Sequence, residues 1–330
     1  MTKDGILAID KPEGISSAAV VARIKKKLGV KKVGHTGTLD PFATGLMLCG
    51  INKGTRLSQF FLGSSKCYAA EVILGMETDT QDCTGHIMKQ CAPGVVNCLS
   101  DEMIVAAIDN FKGSMMQQPP VYSALKHKGK PLYKLAREGQ PVQKPPRRIE
   151  IYSIVLKKIK KNQRPETSTQ TSSIAGTISD TDSVSSLFNC LSITFEVHCS
   201  SGTYIRTLAH DIGQRLGCGG TLFSLRRTQT CVFSIDNAIS LGEFEMLDQN
   251  EAFNRIIPMA QAIPFMPMVQ ADETLMERIR FGRTFMLPVQ LSDYNNNTYI
   301  RVVDSHGELA AIVKYDITLD KYDYCCVFAN

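Results

Sequence analysis

Residues 191–216 read LSITFEVHCSSGTYIRTLAHDIGQRL and contain two different hydrophobic periods. From Leu191 to Cys199, apolar and polar side chains alternate, which predicts an antiparallel strand with one face exposed to water. From Ile205 to Leu216, the apolar residues recur at helical spacing and form a single stripe. Strands and helices are mixed along the chain without a regular βαβ alternation. The sequence therefore predicts an α+β fold.

The same periodicities organise the rest of the chain. A helix is predicted to begin at a cap provided by Ser16 or Ser17 and to run to Leu28, where Gly29 ends it. Residues 34–45 are dense in Gly, Thr and Pro and are predicted to form a loop. Further strands are predicted at residues 5–9, 66–74, 299–303, 309–314 and 324–328.

The charge is distributed unevenly over the 330 residues. The chain has 37 Lys+Arg against 32 Asp+Glu, a net charge of +5, with 43% hydrophobic residues, which indicates an ordinary globular protein and excludes a histone-like polycation. Residues 112–164 contain 14 basic and 2 acidic side chains, whereas residues 236–330 contain 7 and 14. A basic segment of this kind predicts an anionic partner, with nucleic acid as the first candidate.

The cysteines indicate reduced thiols and not a disulfide framework. Their number, 11, is odd, Cys325 and Cys326 are adjacent, and neither a secretory signal nor a long apolar run is evident. We therefore predict a cytoplasmic protein without a membrane span. The chain has no Cys-x-x-Cys pair and no histidine spacing typical of metal ligands, so a structural metal site is not expected.

Three segments depart from regular secondary structure. Residues 115–148 combine six prolines with many basic side chains, and long irregular segments of this kind are often functional. Residues 162–186 are rich in Ser and Thr and poor in large apolar residues, which predicts a mobile loop. The Pro- and Met-rich stretch Pro258–Pro267 is predicted to separate two domains, the second of them rich in strands.

The loop at residues 34–45, GHTGTLDPFATG, is the strongest local candidate for a site. Glycines permit tight backbone paths, and Pro41 favours an extended conformation at Asp40, which can project the carboxylate from the loop. The pattern matches neither a phosphate-binding P-loop nor a dinucleotide fingerprint. A Gly/Pro turn with a solvated Asp40 explains the spacing equally well.

Three shorter motifs add further candidates. In CSSGTYIR, Tyr204 and Arg206 flank the first residue of the predicted helix and could face a cleft, although a helix start with a surface arginine fits the same pattern. Tyr68 lies on the predicted strand 66–74, where a lone tyrosine is more often part of the core. Residues 225–227, Leu-Arg-Arg, fit a solvated strand end.

Six stretches, in the same order along the chain, resemble the TruB family of tRNA pseudouridine synthases. They are GILAIDKPEGISS, VGHTGTLDPFATGLM, KCYAAEVILGMETDTQDCTG, PPVYSALKHKGKPLYKLAREG, CSSGTYIRTLAHDIGQRLG and SLRRT, and they extend from residue 5 to about residue 228. The resemblance implies the pseudouridine synthase fold, with a mixed, largely antiparallel sheet flanked by helices. It also implies isomerisation of a uridine in the tRNA T-loop, at tRNA position 55, without a cofactor or metal.

The resemblance assigns a role to each candidate side chain. Asp40 matches the catalytic aspartate, described as a nucleophile, and whether it attacks the sugar or acts there as a base stays open. A lone carboxylate beside a guanidinium is expected to stay ionised. The other matched residues are Arg206, which pairs with the aspartate; Tyr68, which stacks on uracil and is a candidate base for C5; Tyr204 at the base; His35, which holds the flipped base; and Leu225, an apolar contact.

The resemblance also implies a domain plan and a partner. Residues 1–260 correspond to the catalytic domain, residues 112–150 to its RNA-binding insertion and residues 264–330 to a small β-rich PUA-like domain. The T-arm of tRNA is the expected partner, and its backbone phosphates are expected at Lys126, Lys128 and Lys130. Cys231 stands where the family pattern has a glycine.

Three functional hypotheses follow. The first is a stand-alone, monomeric tRNA pseudouridine synthase that needs no protein partner. The second is a noncatalytic RNA-binding or tRNA-folding protein on the same fold, which would not need Asp40, Tyr68 and Arg206. The third is the catalytic subunit of a guide-RNA pseudouridylation particle. Such relatives usually have extra N-terminal sequence or a Lys-rich tail, which this chain lacks.

Overall fold

The computed structural model describes residues 3–161, 191–285, 298–316 and 321–329. The predicted mobile loop at residues 162–186 lies outside these residues. The strands are β1 (Gly5–Lys11), β2 (Val33–His35), β3 (Thr44–Ile51), β4 (Lys66–Leu74), β5 (Met76–Thr78), β6 (Ile87–Gln90), β7 (Gly113–Gln117), β8 (Lys126–His127), β9 (Lys130–Pro131), β10 (Arg147–Lys161), β11 (Leu191–Cys199), β12 (Gly220–Thr230), β13 (Phe233–Ser234), β14 (Ile239–Ser240), β15 (Ile257–Pro258), β16 (Met268–Gln270), β17 (Tyr299–Val303), β18 (Leu309–Asp316) and β19 (Lys321–Val327). The α-helices are α1 (Ser17–Leu28), α2 (Ser58–Leu62), α3 (Pro93–Asn97), α4 (Asp101–Asp109), α5 (Leu132–Arg137), α6 (Ile205–Arg215), α7 (Leu241–Met246), α8 (Gln249–Asn254) and α9 (Glu273–Arg280).

One large mixed sheet contains strands from Gly5 to Pro258. Its strand order is β14-β1-β3-β12-β4-β11-β10-β7, with β2, β13 and β15 attached to β3, β12 and β1. The pairs β1–β14 and β3–β12 are parallel, and the other pairs are antiparallel. Helices pack against this sheet, so the predicted α+β fold with a mixed, largely antiparallel sheet is confirmed.

The segment 191–216 lies at the centre of this architecture. Strand β11 pairs with β4 on one side and β10 on the other. Its inward side chains Ile193, Phe195 and Val197 are at most 1% exposed, while Glu196 on the opposite face is exposed. The stripe of α6, which includes Leu208, is buried against the same core. The change of hydrophobic period therefore marks a real strand-to-helix transition.

The first helix follows its capping signals. The Ser16 hydroxyl accepts a hydrogen bond from the Ala19 amide, and Gly29 ends α1 in the left-handed conformation at φ 63°. The predicted loop at 34–45 is shorter than expected, because β2 and β3 extend into its two ends. Pairing of His35 with Cys49 provides backbone hydrogen bonds that local composition does not signal.

The predicted RNA-binding insertion at 112–150 begins and ends inside the main sheet. Strand β7 pairs with β10, and Gln117 lies opposite Arg147 in the register. Residues 118–146, which we call the excursion, leave the sheet between these two positions and contain β8, β9 and α5. The base of the excursion is therefore part of the core sheet.

The C-terminal strands form a second sheet in the order β16-β17-β18-β19. A shared apolar cluster joins this sheet to the large mixed sheet, with Ile6 and Leu48 on one side and Ile312 and Phe328 on the other. The predicted boundary near residues 258–267 is consequently packed and not a free linker. The assignment of the second sheet to a PUA-like domain stays a prediction.

The turn between β12 and β13 contains Cys231, which stands where the resembled family has a glycine. Cys231 lies in this turn with φ 54°, in the left-handed region that favours glycine. The position where the family pattern has a glycine is thus one where backbone geometry prefers it.

Candidate active site

The Asp40 loop is fixed on both sides of the carboxylate. The buried Ser17 hydroxyl donates to the Leu39 carbonyl (3.0 Å) and accepts from the Leu39 amide (2.9 Å). On the other side, Lys11 Nζ donates to the Pro41 carbonyl at 3.1 Å, and the Gly14 amide donates to the same oxygen at 2.9 Å. These contacts hold the backbone of Asp40 between α1 and the end of β1, a restraint that the loop sequence alone did not reveal.

Arg206 brings three segments of the chain together. Its Nε lies 3.0 Å from Asp40 Oδ2, and its side chain is only 5% exposed, against 36% for Asp40. Nη1 donates to the Thr80 carbonyl at 3.0 Å, and Nη2 donates to the Tyr122 carbonyl at 2.7 Å. The guanidinium is therefore held in one orientation, while the carboxylate of Asp40 stays accessible from solvent. Arg206 is not the surface arginine of the alternative interpretation.

A second carboxylate, Asp82, shares this guanidinium. Its Oδ2 lies 3.3 Å from Arg206 Nη1, and its side chain is 5% exposed. Its Oδ1 accepts from the Thr80 hydroxyl (2.8 Å), the Thr84 amide (3.0 Å) and the Thr84 hydroxyl (2.6 Å). The expectation of a lone carboxylate beside a guanidinium was therefore wrong. Sequence reasoning missed Asp82 because nothing in its local pattern indicates a contact with a distant arginine.

The protonation equilibrium of Asp40 reflects these neighbours. Burial raises the pKa of Asp40 above its ordinary value, and the negative charge of Asp82 raises it further. Arg206, and to a smaller extent Lys11, acts in the opposite direction on the same pKa. The raised pKa makes ionised Asp40 a stronger base than a free aspartate, and its charged partner still favours ionisation.

Tyr68 and Leu225 lie on neighbouring strands beside the Asp40 loop. Strand β12 pairs with β4 so that Leu225 lies opposite Ala70 and Arg227 opposite Tyr68. Burial raises the pKa of Tyr68, the charge of Arg227 lowers it, and the charge of Asp40 raises it slightly. The pKa of Tyr68 therefore depends on both the Arg227 guanidinium and the Asp40 carboxylate. Leu225, which is 8% exposed, adds an apolar side chain on the neighbouring strand.

Arg227 is a buried residue that the sequence did not single out as such. It is 3% exposed, whereas the Leu-Arg-Arg motif fitted a solvated strand end. Its Nε donates to the Leu46 carbonyl (2.7 Å), and its Nη2 donates to the Gly37 carbonyl (3.2 Å). These two acceptors lie on either side of Asp40 in the chain, so Arg227 links the two ends of the Asp40 loop. The solvated interpretation is wrong for Arg227.

His35 lies at the end of β2, where the Asp40 loop begins. Its Nδ1 accepts a hydrogen bond from the Gly37 amide at 3.3 Å. Burial lowers the pKa of His35, and the nearby Arg227 lowers it further. The imidazole is therefore neutral at pH 7, a form that suits contact with an uncharged base.

Tyr204 occupies the position before the first residue of α6. The guanidinium of Arg147 lies over its ring, 4.8 Å from the centroid. Its amide donates to Gln117 Oε1 at 2.8 Å, and its carbonyl accepts from Gln117 Nε2 at 3.0 Å. The structure thus connects Tyr204 with the base of the excursion, and its contact with a substrate base stays a prediction.

The predicted phosphate-binding lysines form a tip on the excursion. Lys126 and Lys130 lie on the paired strands β8 and β9, and Lys128-Gly129 forms the turn between them. Both turn residues have positive φ, 47° and 84°, as expected for a two-residue hairpin. All three lysines are exposed, and only Lys130 approaches a carboxylate, Glu138, at 3.9 Å among the described residues.

Two general features concern cofactors and membranes. The described part of the chain contains no group of three or more His, Cys, Asp or Glu side chains placed to hold a metal ion. Within the same residues, no helix has both the length and the apolar character needed to cross a bilayer.

Several known proteins that resemble this chain come from one family. The model of the N-terminal domain of the TruB family pseudouridylate synthases matches residues 25–205, and the model of the tRNA pseudouridylate synthase B C-terminal domain matches residues 206–263. The tRNA pseudouridine synthase B of Syntrophotalea carbinolica is 36% identical over 309 residues, which cover 93% of this chain and 90% of the relative. That of Opitutus terrae is 40% identical over 261 residues, which cover 79% and 95%.

A solved structure has the same fold. In the crystal structure of a Cbf5-Nop10-Gar1 complex, one chain matches with a TM-score of 0.64 and 23% identity, covering 98% of this chain and 84% of that chain. At this identity the likeness concerns the fold. The N-terminal family model spans more than half of the chain, and the curated relatives match over most of both lengths. This chain therefore belongs to the TruB family of pseudouridylate synthases.

Proposed function

We propose that this chain converts a uridine in the T-loop of tRNA, at tRNA position 55, to pseudouridine. The observation that carries the proposal is the buried Arg206 guanidinium shared by Asp40 and Asp82. RNA binding alone needs no accessible carboxylate pinned to a buried cation. Family membership, and curated relatives named tRNA pseudouridine synthase B, support tRNA as the substrate.

The reaction is an isomerisation that balances without an oxidant. The bond between C1′ of the ribose and N1 of uracil breaks, and its electron pair leaves with the uracil. The uracil turns, and its C5 forms a new bond to C1′. C5 then loses a proton and N1 gains one, so that atoms and charge are conserved. Asp40 acts at the sugar, either as the nucleophile at C1′ or as a base.

Each remaining residue has a part in this scheme. Arg206 orients the Asp40 carboxylate and keeps its ionised form available. Tyr68 stacks on the uracil and is the candidate that takes the C5 proton. Leu225 contacts the uracil through its apolar side chain, and neutral His35 holds the base outside the RNA stack. Tyr204 completes the substrate-binding side chains.

Access to the uridine requires base flipping. The target is held in a folded RNA loop, and its extrusion costs a few kcal/mol. Stacking on an aromatic side chain such as Tyr68 contributes about 1–3 kcal/mol per base and offsets part of that cost. The exposed Lys126, Lys128 and Lys130 on the tip of the excursion provide contacts to the phosphates of the T-arm.

Further expectations belong to the same proposal. The enzyme acts as a monomer without a protein partner, it works in the cytoplasm, and its reaction uses neither cofactor nor metal. Residues 1–260 form the catalytic domain, and residues 264–330 form a PUA-like domain. These expectations stay predictions.

Tritium release from tRNA labelled at uracil C5 tests the function directly. The purified wild-type protein should release the label, and Asp40→Asn should abolish release while its Kd for tRNA stays within about twofold of wild type. Wild-type protein that binds tRNA but releases no label would establish the noncatalytic RNA-binding alternative. Release only after addition of a guide RNA would support the particle-subunit hypothesis instead.

A further inference from the structure

Gln117 makes a paired hydrogen bond to the backbone just before α6. It is the last residue of β7 and is 2% exposed. Its amide oxygen accepts from the Tyr204 N–H at 2.8 Å, and its amide nitrogen donates to the Tyr204 carbonyl at 3.0 Å. A single side chain therefore satisfies both polar backbone groups of one residue, as a neighbouring strand would.

This contact fixes the backbone of the N-cap residue of α6. Tyr204 is the N-cap residue of this helix, and its side chain makes no capping hydrogen bond. The first turn of α6 contains Arg206, whose guanidinium contacts Asp40. A side chain from β7 therefore holds the residue from which this helix begins, and Arg206 follows two positions later.

The residue opposite Gln117 holds the same backbone from the other side. Arg147 pairs with Gln117 in the register of β7 and β10. Its guanidinium covers the Tyr204 ring and donates to the Gly202 carbonyl. Gly202 has φ 86°, in the left-handed region that favours glycine, and a Cβ there would lie 3.1 Å from Arg147 Cζ.

These contacts place the two ends of the excursion against the segment that leads into Arg206. The excursion leaves the sheet after Gln117 and returns at Arg147. Inside it, the Tyr122 carbonyl accepts directly from Arg206 Nη2 at 2.7 Å. The segment expected to hold RNA thus contacts the catalytic guanidinium at one point and the start of its helix at two others.

We propose that Gln117 and Arg147 are positioning residues that couple the seating of RNA on the excursion to the placement of Arg206 at Asp40. The inference rests on the proposed function and deepens it: the excursion sets the geometry of the catalytic ion pair in addition to binding RNA. Neither residue touches the reacting atoms, so both act through Arg206.

The test separates the chemical step from binding. Gln117→Met has a similar length and no amide, so the two hydrogen bonds are lost at nearly constant volume. We expect the single-turnover rate constant for tritium release at saturating tRNA to fall about tenfold, equivalent to about 1.4 kcal/mol, while the Kd for tRNA stays within twofold. Gln59→Met, at an exposed glutamine on α2 far along the chain from these contacts, controls for the change of residue type.

A mutant cycle distinguishes positioning from a general loss of stability. The background variant is Arg206→Lys. Lysine lacks the planar guanidinium that reaches both the Thr80 and Tyr122 carbonyls, so the orientation that Gln117 would support is already lost. Adding Gln117→Met there should change the rate constant by less than twofold. A tenfold loss in both backgrounds, or a Kd that rises in proportion to the lost rate, would overturn the proposal.

A second variant keeps the test decisive if Gln117→Met does not fold. Arg147→Lys retains the positive charge but removes the planar contact with the Tyr204 ring. It should lower the same rate constant several-fold at unchanged Kd, and an unchanged rate would overturn the proposal. Wild-type protein without any tritium release would refute the proposed function itself, which is a different outcome from an active wild type with unaffected variants.

Discussion

Asp82→Asn tests whether the second carboxylate anchors the catalytic arginine. Asp82 Oδ2 lies 3.3 Å from Arg206 Nη1, and Oδ1 accepts from the side chains of Thr80 and Thr84. Asparagine keeps an acceptor oxygen for the two threonines. Its NH₂ group, which is a hydrogen-bond donor, would then face the guanidinium, which is also a donor. The substitution therefore removes one ionic contact of Arg206 with little change of shape.

The size of the effect follows from the type of contact. A hydrogen bond to a charged group contributes about 1.5–3 kcal/mol, and each 1.36 kcal/mol changes a rate about tenfold. Arg206 keeps the Thr80 and Tyr122 carbonyls and Asp40 as partners, so its position is weakened and not lost. We expect the single-turnover rate constant at pH 7 to fall by about 10- to 150-fold.

The pH dependence provides a second signature with a defined sign. Burial raises the pKa of Asp40, and the negative charge of Asp82 adds to this rise. Removing that charge lowers the pKa of Asp40. In the proposed function ionised Asp40 is the reactive form, so the rate should fall as the pH falls through this pKa. The acid limb of the pH–rate profile should therefore move to lower pH in Asp82→Asn.

Single-turnover tritium release between pH 5 and pH 8 measures both signatures in one series. Asp211→Asn is the matched control, since it neutralises a carboxylate on the same helix as Arg206 without a contact to its guanidinium among the described residues. A rate within twofold of wild type throughout, or an acid limb that moves to higher pH, would show that Asp82 does not act on Arg206 and Asp40 as argued.

Two other predictions concern RNA binding and the core of the site. Replacing the exposed Lys126, Lys128 and Lys130 with glutamine should reduce the slope of log K for tRNA against log salt by about two to three, since each phosphate contact contributes roughly 0.7–0.9. Gly45→Ala should lower the free energy of unfolding by about 2–5 kcal/mol in urea denaturation. Gly45 has φ 105°, and a Cβ there would lie 2.3 Å from the Arg227 carbonyl oxygen.

Both predictions have internal controls on the same molecule. Neutralising Lys157, Lys158 and Lys160, which are exposed on β10, should leave the salt slope unchanged. If that set reduces the slope and the hairpin set does not, the RNA lies on another surface. Gly242→Ala, at a site with nothing within 4 Å of the added Cβ, should change stability by less than about 1 kcal/mol. Equal effects at Gly45 and Gly242 would contradict the close approach of β3 and β12.

The elements with strong local signals were predictable from the sequence. Strands 66–74 and 191–199 have the predicted bounds, and α1 runs from its serine cap to Gly29. Hydrophobic period and capping chemistry act within a few residues, so a single segment contains all the information. The resemblance of six motifs likewise indicated the family, because motifs are strings of adjacent residues.

The composition of the site depended on contacts that no local pattern contains. Asp82 becomes a partner of Arg206, and Arg227 becomes a buried brace, only when β12, β4 and the Asp40 loop are packed together. In sequence, both residues look like solvated charges. Burial decides otherwise, because a charge inside the protein has to be placed against specific partners.

The fold class, the family resemblance and the candidates Asp40 and Arg206 could all be inferred from the order of the residues. Only the folded chain shows that Arg206 contacts two carboxylates and that Gln117 and Arg147 hold the start of its helix. The difference lies in the range of the interactions. Periodicity and capping act between neighbours along the chain, whereas these contacts join segments that only the folded sheet brings together, at 2.8 Å for the Gln117–Tyr204 hydrogen bond and 4.8 Å for Arg147 over the Tyr204 ring.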